Sequence, residues 1–116
     1  MTVKIAHFDN EPLVLKNTKK FLSNAGINIV AEASSLRESK VIIPTLLDLG
    51  VVLALIDGDI GGAEIARLLA QACPSMVRVG YTAEPRFENL DEYIFKTTLP
   101  DEFVSLVSMY AKSSQR

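Results

Sequence analysis

At 116 residues, 48% of them apolar, with a formal net charge of -2, the chain fits one domain built on a single core. With no Lys/Arg cluster beyond Lys19-Lys20, it lacks the basic face or stripe of a nucleic-acid-binding protein. One cysteine, Cys73, cannot form an internal disulfide, no apolar run approaches membrane-spanning length, and the Met1-Thr2-Val3-Lys4 start has no signal-peptide pattern. The expectation is a soluble cytoplasmic domain.

Val3 to Phe8 is apolar except for Lys4 and His7 and reads as a buried first strand, punctuated by Asp9-Asn10-Glu11-Pro12. Pro12 suits a first helical turn, where its missing N–H has no partner to lose. Leu13, Leu15, Phe21 and Leu22 supply an apolar stripe for a helix that Gly26 stops. Residues 27 to 34 alternate as a strand with one exposed face does, which predicts an edge strand. Ser35-Leu36-Arg37-Glu38 reads as a capping box that opens a second helix, and Pro44 ends or kinks it around Ile42 to Ile43.

Val51 to Ile56 is the most continuous apolar run, the mark of a central parallel strand covered on both faces, and Asp57 terminates it. Gly61-Gly62 lead into a third helix with Ile65, Leu68, Leu69 and Ala72 at helical spacing, ended by Cys73-Pro74. Met76 to Tyr81 forms a fourth strand tipped by Thr82, and Tyr93-Ile94-Phe95 a short fifth tipped by Lys96. A last helix, capped by Thr98 with Pro100 early in it, buries Phe103, Leu106, Val107 and Tyr110, and residues 112 to 116 form a frayed tail of the single domain spanning 1 to 116. Only the 10 residues 83 to 92 separate Thr82 from Tyr93. An average helix of about 11 to 12 residues with two loops of about 4 to 6 each needs roughly twice that, so at most a turn or two around Phe87 to Leu90 fits.

Strand-helix alternation implies right-handed crossovers and an open parallel α/β sheet with helices on both faces. All strand C-termini then open on one edge, where such folds bind ligands. That edge would gather Asp9 with Asn10, Asp57, Thr82 and Lys96: a carboxylate nucleophile, an acidic neighbour for a metal, and a hydroxyl and an ammonium for phosphoryl oxygens. Each residue also has a plainer role. Asp57 could cap the following helix, Asp9 and Asn10 could be turn formers, Thr82 an ordinary strand residue, Lys96 a solvated charge and Tyr93 a packed aromatic. His7, among apolar neighbours, reads as a core histidine bonded to a backbone group, and Cys73 as an inert packed thiol.

Four pieces in this order, Ile5-Ala6-His7-Phe8-Asp9-Asn10-Glu11-Pro12, Leu55-Ile56-Asp57-Gly58-Asp59-Ile60, Gly80-Tyr81-Thr82-Ala83 and Tyr93-Ile94-Phe95-Lys96, resemble the receiver domains of two-component response regulators over residues 3 to about 111. The resemblance implies a flavodoxin-like, five-stranded parallel sheet of order 2-1-3-4-5. It implies that Asp57 accepts a phosphoryl group from a histidine kinase or phosphotransfer protein. Asp9, Asn10, the Asp57 carboxylate and the Asp59 backbone carbonyl would hold Mg2+, Thr82 and Lys96 would contact phosphoryl oxygens, and Thr82 and Tyr93 would form the switch.

Asp59 and Glu84 flank the mouth and could tune access of hydrolytic water. Such a module signals to a downstream target protein, with no role for nucleic acid or membrane, and is not an enzyme beyond Mg2+-dependent self-phosphorylation and autodephosphorylation. Three departures mark this chain as atypical: Asn10 stands where the family usually has a second carboxylate; the loop after Asp57 is short, with Gly61-Gly62 arriving early and no proline before them; and Thr97 follows the lysine in place of proline while the fourth helix is cut short. Replacing a unit charge about 4 Å from the ion forfeits at most ~4 kcal/mol at an effective dielectric of ~20. A pseudo-receiver, acting as a phosphorylation-independent protein-interaction module, is the alternative.

Overall fold

The computed structural model describes residues 2–83 and 87–113. Five strands form one parallel sheet: β1 (Val3–Phe8), β2 (Ile27–Ala33), β3 (Leu53–Ile56), β4 (Val77–Thr82) and β5 (Glu92–Phe95). Their order is β2-β1-β3-β4-β5. Four helices connect and cover them: α1 (Pro12–Ser23), α2 (Leu36–Ile42), α3 (Gly62–Ala72) and α4 (Pro100–Ser113). This is the flavodoxin-like arrangement expected, with β2 at one edge, as its alternating pattern required. No described residue between β4 and β5 is helical.

The core divides at the sheet. On one face Ala6, Phe8, Ala54 and Ile56 pack with Ile43 and Leu46 from the turn after α2 and with Ile65 and Leu69 of α3. On the other, Ile5, Leu53, Leu55, Val79 and Tyr81 pack with Leu22 of α1 and Phe103, Val107 and Ala111 of α4. Adjacent strand residues alternate between the two faces, as strand geometry dictates. Leu53 to Ile56 are fully buried, which is what a strand covered on both sides requires.

Several local expectations need correction. Of the expected stripe Leu13-Leu15-Phe21-Leu22 only Leu22 is fully buried; the inward side of α1 is Val14, Thr18 and Leu22, and Leu13 and Phe21 are exposed. The misreading came from Thr18, a polar residue that is buried because its side chain hydrogen-bonds Tyr81 of β4. On α3, Ala66 is buried and Ala72 exposed. Glu38 donates its N–H to Ser35 Oγ as a capping box requires, but its carboxylate reaches Ser34, accepting from both its N–H and its hydroxyl at 2.7 Å. At the start of α4, Pro100 is the first helical residue and Leu99 supplies the first carbonyl, accepting from Phe103 N–H, so Thr98 stands one residue outside the cap position. The helix also runs through Ser113, past the point where fraying was expected.

Among its described residues, the short β4–β5 connection is held by polar contacts. Arg78 of β4 donates from Nε to the Asn89 carbonyl at 2.7 Å, its own carbonyl accepts from the Asp91 N–H, and the Asp91 carboxylate accepts from the Arg78 N–H. Phe87 and Leu90 then turn inward onto the α2/α3 half of the core. Gly80 makes room for this, since a Cβ there would meet Leu90 Cδ1 at 2.6 Å and the Tyr93 ring at 3.0 Å.

Candidate functional site

The strand register builds the site. Phe8 of β1 pairs with Ile56 of β3, so the residues that follow, Asp9 and Asp57, leave the sheet side by side. Thr82 of β4 pairs with Phe95 of β5, and the Lys96 N–H donates to the Thr82 carbonyl at 3.3 Å, which sets Thr82 and Lys96 at the same edge. Asp9 and Asp57 lie next to the point where the strand order reverses, where open α/β sheets leave a crevice.

Asp9, Asp57 and Thr82 are buried. The Lys96 ammonium lies 2.8 Å from Asp9 Oδ2 and 3.3 Å from Asp57 Oδ1, bridging the two acids. Burial lowers the affinity of Lys96 for its proton, but pairing with Asp9 and Asp57 outweighs this and leaves its pKa above the ordinary lysine value. Burial raises the Asp9 pKa, the neighbouring Asp57 charge adds to that, and contacts to Lys96 and the Glu11 N–H only partly offset it. Asp9 forms a turn and an ion pair: Oδ1 accepts from the Glu11 N–H at 2.9 Å, an Asx-type turn, while Oδ2 faces Lys96.

Asp57 does not serve as a helix cap. It precedes a single 3-10 turn, Gly58–Ile60, without a side-chain cap hydrogen bond, and α3 starts instead from Gly61 in the left-handed conformation (φ 91°). Its Oδ2 is buried with no hydrogen-bond partner among the described residues. An unpartnered buried oxygen is costly and marks a group held for something other than packing.

Asn10 is exposed beside Asp9, and Asp59 is exposed in the turn after Asp57. Tyr93 is half-buried, its ring against Gly80 and edge-on to Phe95 at 4.9 Å. Glu84, expected at the mouth, lies outside the described residues. Cys73 is buried and its thiol pKa is raised by burial, as expected of a packed thiol.

Two contributors escaped the sequence reading. Gly62 lies directly under the Asp57 carbonyl: a Cβ there would collide with that backbone oxygen and come within 2.9 Å of Phe87 Cζ. The sequence reads Gly61 and Gly62 together only as the lead into a helix. His7 was expected to bond a backbone group. Instead it is fully buried, neither ring nitrogen has a hydrogen-bond partner among the described residues, and Nε2 stands 3.8 Å from Asp9 Oδ2. Burial, with the nearby Lys96 charge adding to it, drives the His7 pKa down to about 3, so the imidazole is neutral. The signal was the strand period: residues 7 and 9 share one side of an extended chain.

The chain has the fold of response-regulator receiver domains. It superposes on a CheY-like response regulator receiver domain protein from Methanospirillum hungatei with TM-score 0.85 at 21% identity, covering 99% of this chain and 98% of that one. A LuxR-family two-component response regulator from Aurantimonas gives 0.83 at 19% identity over 97% and 87% of the two chains. The signal receiver domain of an HD domain-containing protein from Pseudomonas fluorescens gives 0.83 at 14% identity over 99% and 98%. At these identities the likeness is one of fold. No protein-family model matches the sequence, and no curated protein matches it.

Proposed function

We propose that this protein is a phosphoacceptor receiver module in which Asp57 takes a phosphoryl group and thereby changes a protein-interaction surface. The observation that carries it is the Lys96 ammonium in contact with the Asp9 and Asp57 carboxylates at one sheet edge, with Asp57 unused as a cap. An Asp57 oxygen attacks phosphorus, a P–O bond forms, and the bond from phosphorus to the donor's leaving group breaks. Phosphoryl transfer of this kind needs positioning and charge stabilisation more than covalent help. Lys96 turns from Asp9 toward a phosphoryl oxygen, and the Thr82 hydroxyl donates to another.

Mg2+ fits the donors present. Asp9 and Asp57 offer buried carboxylate oxygens, Asp57 Oδ2 having no other partner among the described residues. No group of three or more His, Cys, Asp or Glu able to hold a metal occurs among those residues. The remaining ligands would therefore be the Asn10 amide oxygen, the Asp59 backbone carbonyl and water, a hard-oxygen set that Mg2+ accepts. When bound, the ion supplies charge neutralisation across the phosphoryl oxygens. The donor would be a histidine kinase or phosphotransfer protein, and Tyr93, packed at the shortened β4–β5 connection, would carry the change to a downstream partner.

Asn10 and the ready-made Lys96 bridge, which already compensates both acids, favour a second reading: a phosphorylation-independent interaction module. Incubation with acetyl phosphate and Mg2+ followed by intact mass separates the two. A single added phosphoryl mass on wild type, absent from Asp57→Asn, is expected. Mass gained by both proteins contradicts the role of Asp57, and no gain in either supports the interaction module.

A further inference from the structure

Lys96 is the close partner of Asp9 Oδ2, and the proposed chemistry takes it away. Once Lys96 turns to a phosphoryl oxygen, that buried carboxylate oxygen loses its 2.8 Å contact, and a Mg2+ ion held by Asp9 would occupy only one lone pair of the oxygen it binds. His7 Nε2 stands 3.8 Å from Asp9 Oδ2, fully buried and without a hydrogen-bond partner among the described residues. Leaving a buried carboxylate oxygen unmatched is more costly than any ordinary loss of one hydrogen bond. The His7 ring lies 6.1 Å from that of Tyr81, which stacks on Phe103 at 4.5 Å and hydrogen-bonds Thr18. The charged and titratable groups facing it are Asp9, Lys96 and Tyr81.

We propose that His7 is a positioning residue for Asp9, its Nε2–H taking over the Asp9 Oδ2 oxygen when Lys96 engages the phosphoryl group on Asp57. A closing movement of about 1 Å brings Nε2 and Oδ2 within the usual N–H···O range. The arrangement requires the tautomer protonated on Nε2, because a bare Nε2 lone pair would face a carboxylate. It resembles the outer-sphere hydrogen bonds that orient carboxylates in metal sites, whose loss typically weakens metal binding 10- to 100-fold. Having a single carboxylate after β1, with Asn10 beside it, makes the orientation of Asp9 matter more here.

The role rests on the phosphoacceptor reading, and the test keeps the two apart. Imidazole nitrogen NMR of the wild-type protein is expected to find His7 as the Nε2–H tautomer, and addition of Mg2+ with beryllium fluoride, a mimic of a phosphoryl group on a carboxylate, is expected to move the Nε2–H proton downfield as the bond to Asp9 forms. In Mg2+ titrations read by thermal stability, His7→Leu should require about 10- to 100-fold more Mg2+ than wild type, while His7→Gln, which keeps an N–H donor, recovers most of the difference. An Nδ1–H tautomer overturns the role without any variant. So do two variants that match wild type in Mg2+ requirement while all three accept phosphate from acetyl phosphate. A wild type that takes no phosphoryl group overturns the phosphoacceptor reading itself, and the His7 role with it.

Discussion

At the level of single residues, the site stores opposed charges that can be read out through stability. Lys96 compensates two buried carboxylates, so Lys96→Met should destabilise the protein near neutral pH by about 3 kcal/mol or more, the usual consequence of leaving buried charge unpaired. The Asp9 pKa is already raised, and removing the ammonium raises it further, so the deficit relative to wild type should shrink as pH falls and the acids protonate; chemical denaturation at neutral and acid pH checks this. His7 has the opposite sign. Its folded pKa of about 3 lies below the ordinary 6.5, so between these values the unfolded chain binds a proton that the folded chain refuses. Wild type should therefore lose stability on acidification through that window, by up to about tenfold in the folding equilibrium per pH unit, and His7→Phe should lose correspondingly less. An equal slope in both proteins would mean that His7 is not buried in neutral form.

At the level of elements, Gly62 and Gly80 leave room for Phe87 and Leu90 of the short β4–β5 connection, and Arg78 holds it by its bond to the Asn89 carbonyl. Gly62→Ala would gain about 1 kcal/mol on helix propensity alone. Collision with the Asp57 carbonyl and the Phe87 ring should win, for a net loss of roughly 1 to 3 kcal/mol by overpacking, measurable as a lower melting temperature. Arg78→Ala removes the bond to the Asn89 carbonyl and the ion pair to Asp91, so amide exchange should rise first in residues 87–91 and leave β1 and β3 protected. Element type was legible because apolar runs such as Val3 to Phe8 and Val51 to Ile56 have no competing pattern, and because Pro12, Pro44 and Pro74 mark boundaries that backbone sterics enforce. What failed were helix faces and caps. Thr18 is polar yet inward because it has a partner on β4, and the Glu38 carboxylate accepts from Ser34 rather than from Ser35, both facts of tertiary or local geometry that a periodicity count does not contain.

For the whole molecule, the convergence of Asp9, Asp57, Thr82 and Lys96 at one edge was legible from chain order alone, since parallel strands place every tip on the same side. The Lys96 bridge to two acids, the unpartnered His7 and the closeness of Gly62 to Asp57 were not, because each depends on register and on side chains distant in sequence. The central claim is that Asp57 is the residue that accepts phosphate, and the most direct test is to locate the modified side chain. Acyl phosphates are reduced by borohydride to the alcohol, so peptide mass mapping after acetyl phosphate, Mg2+ and borohydride should find homoserine at position 57. Homoserine at Asp9 or Asp59, or no reduced residue in a protein whose fold is intact, would contradict the account.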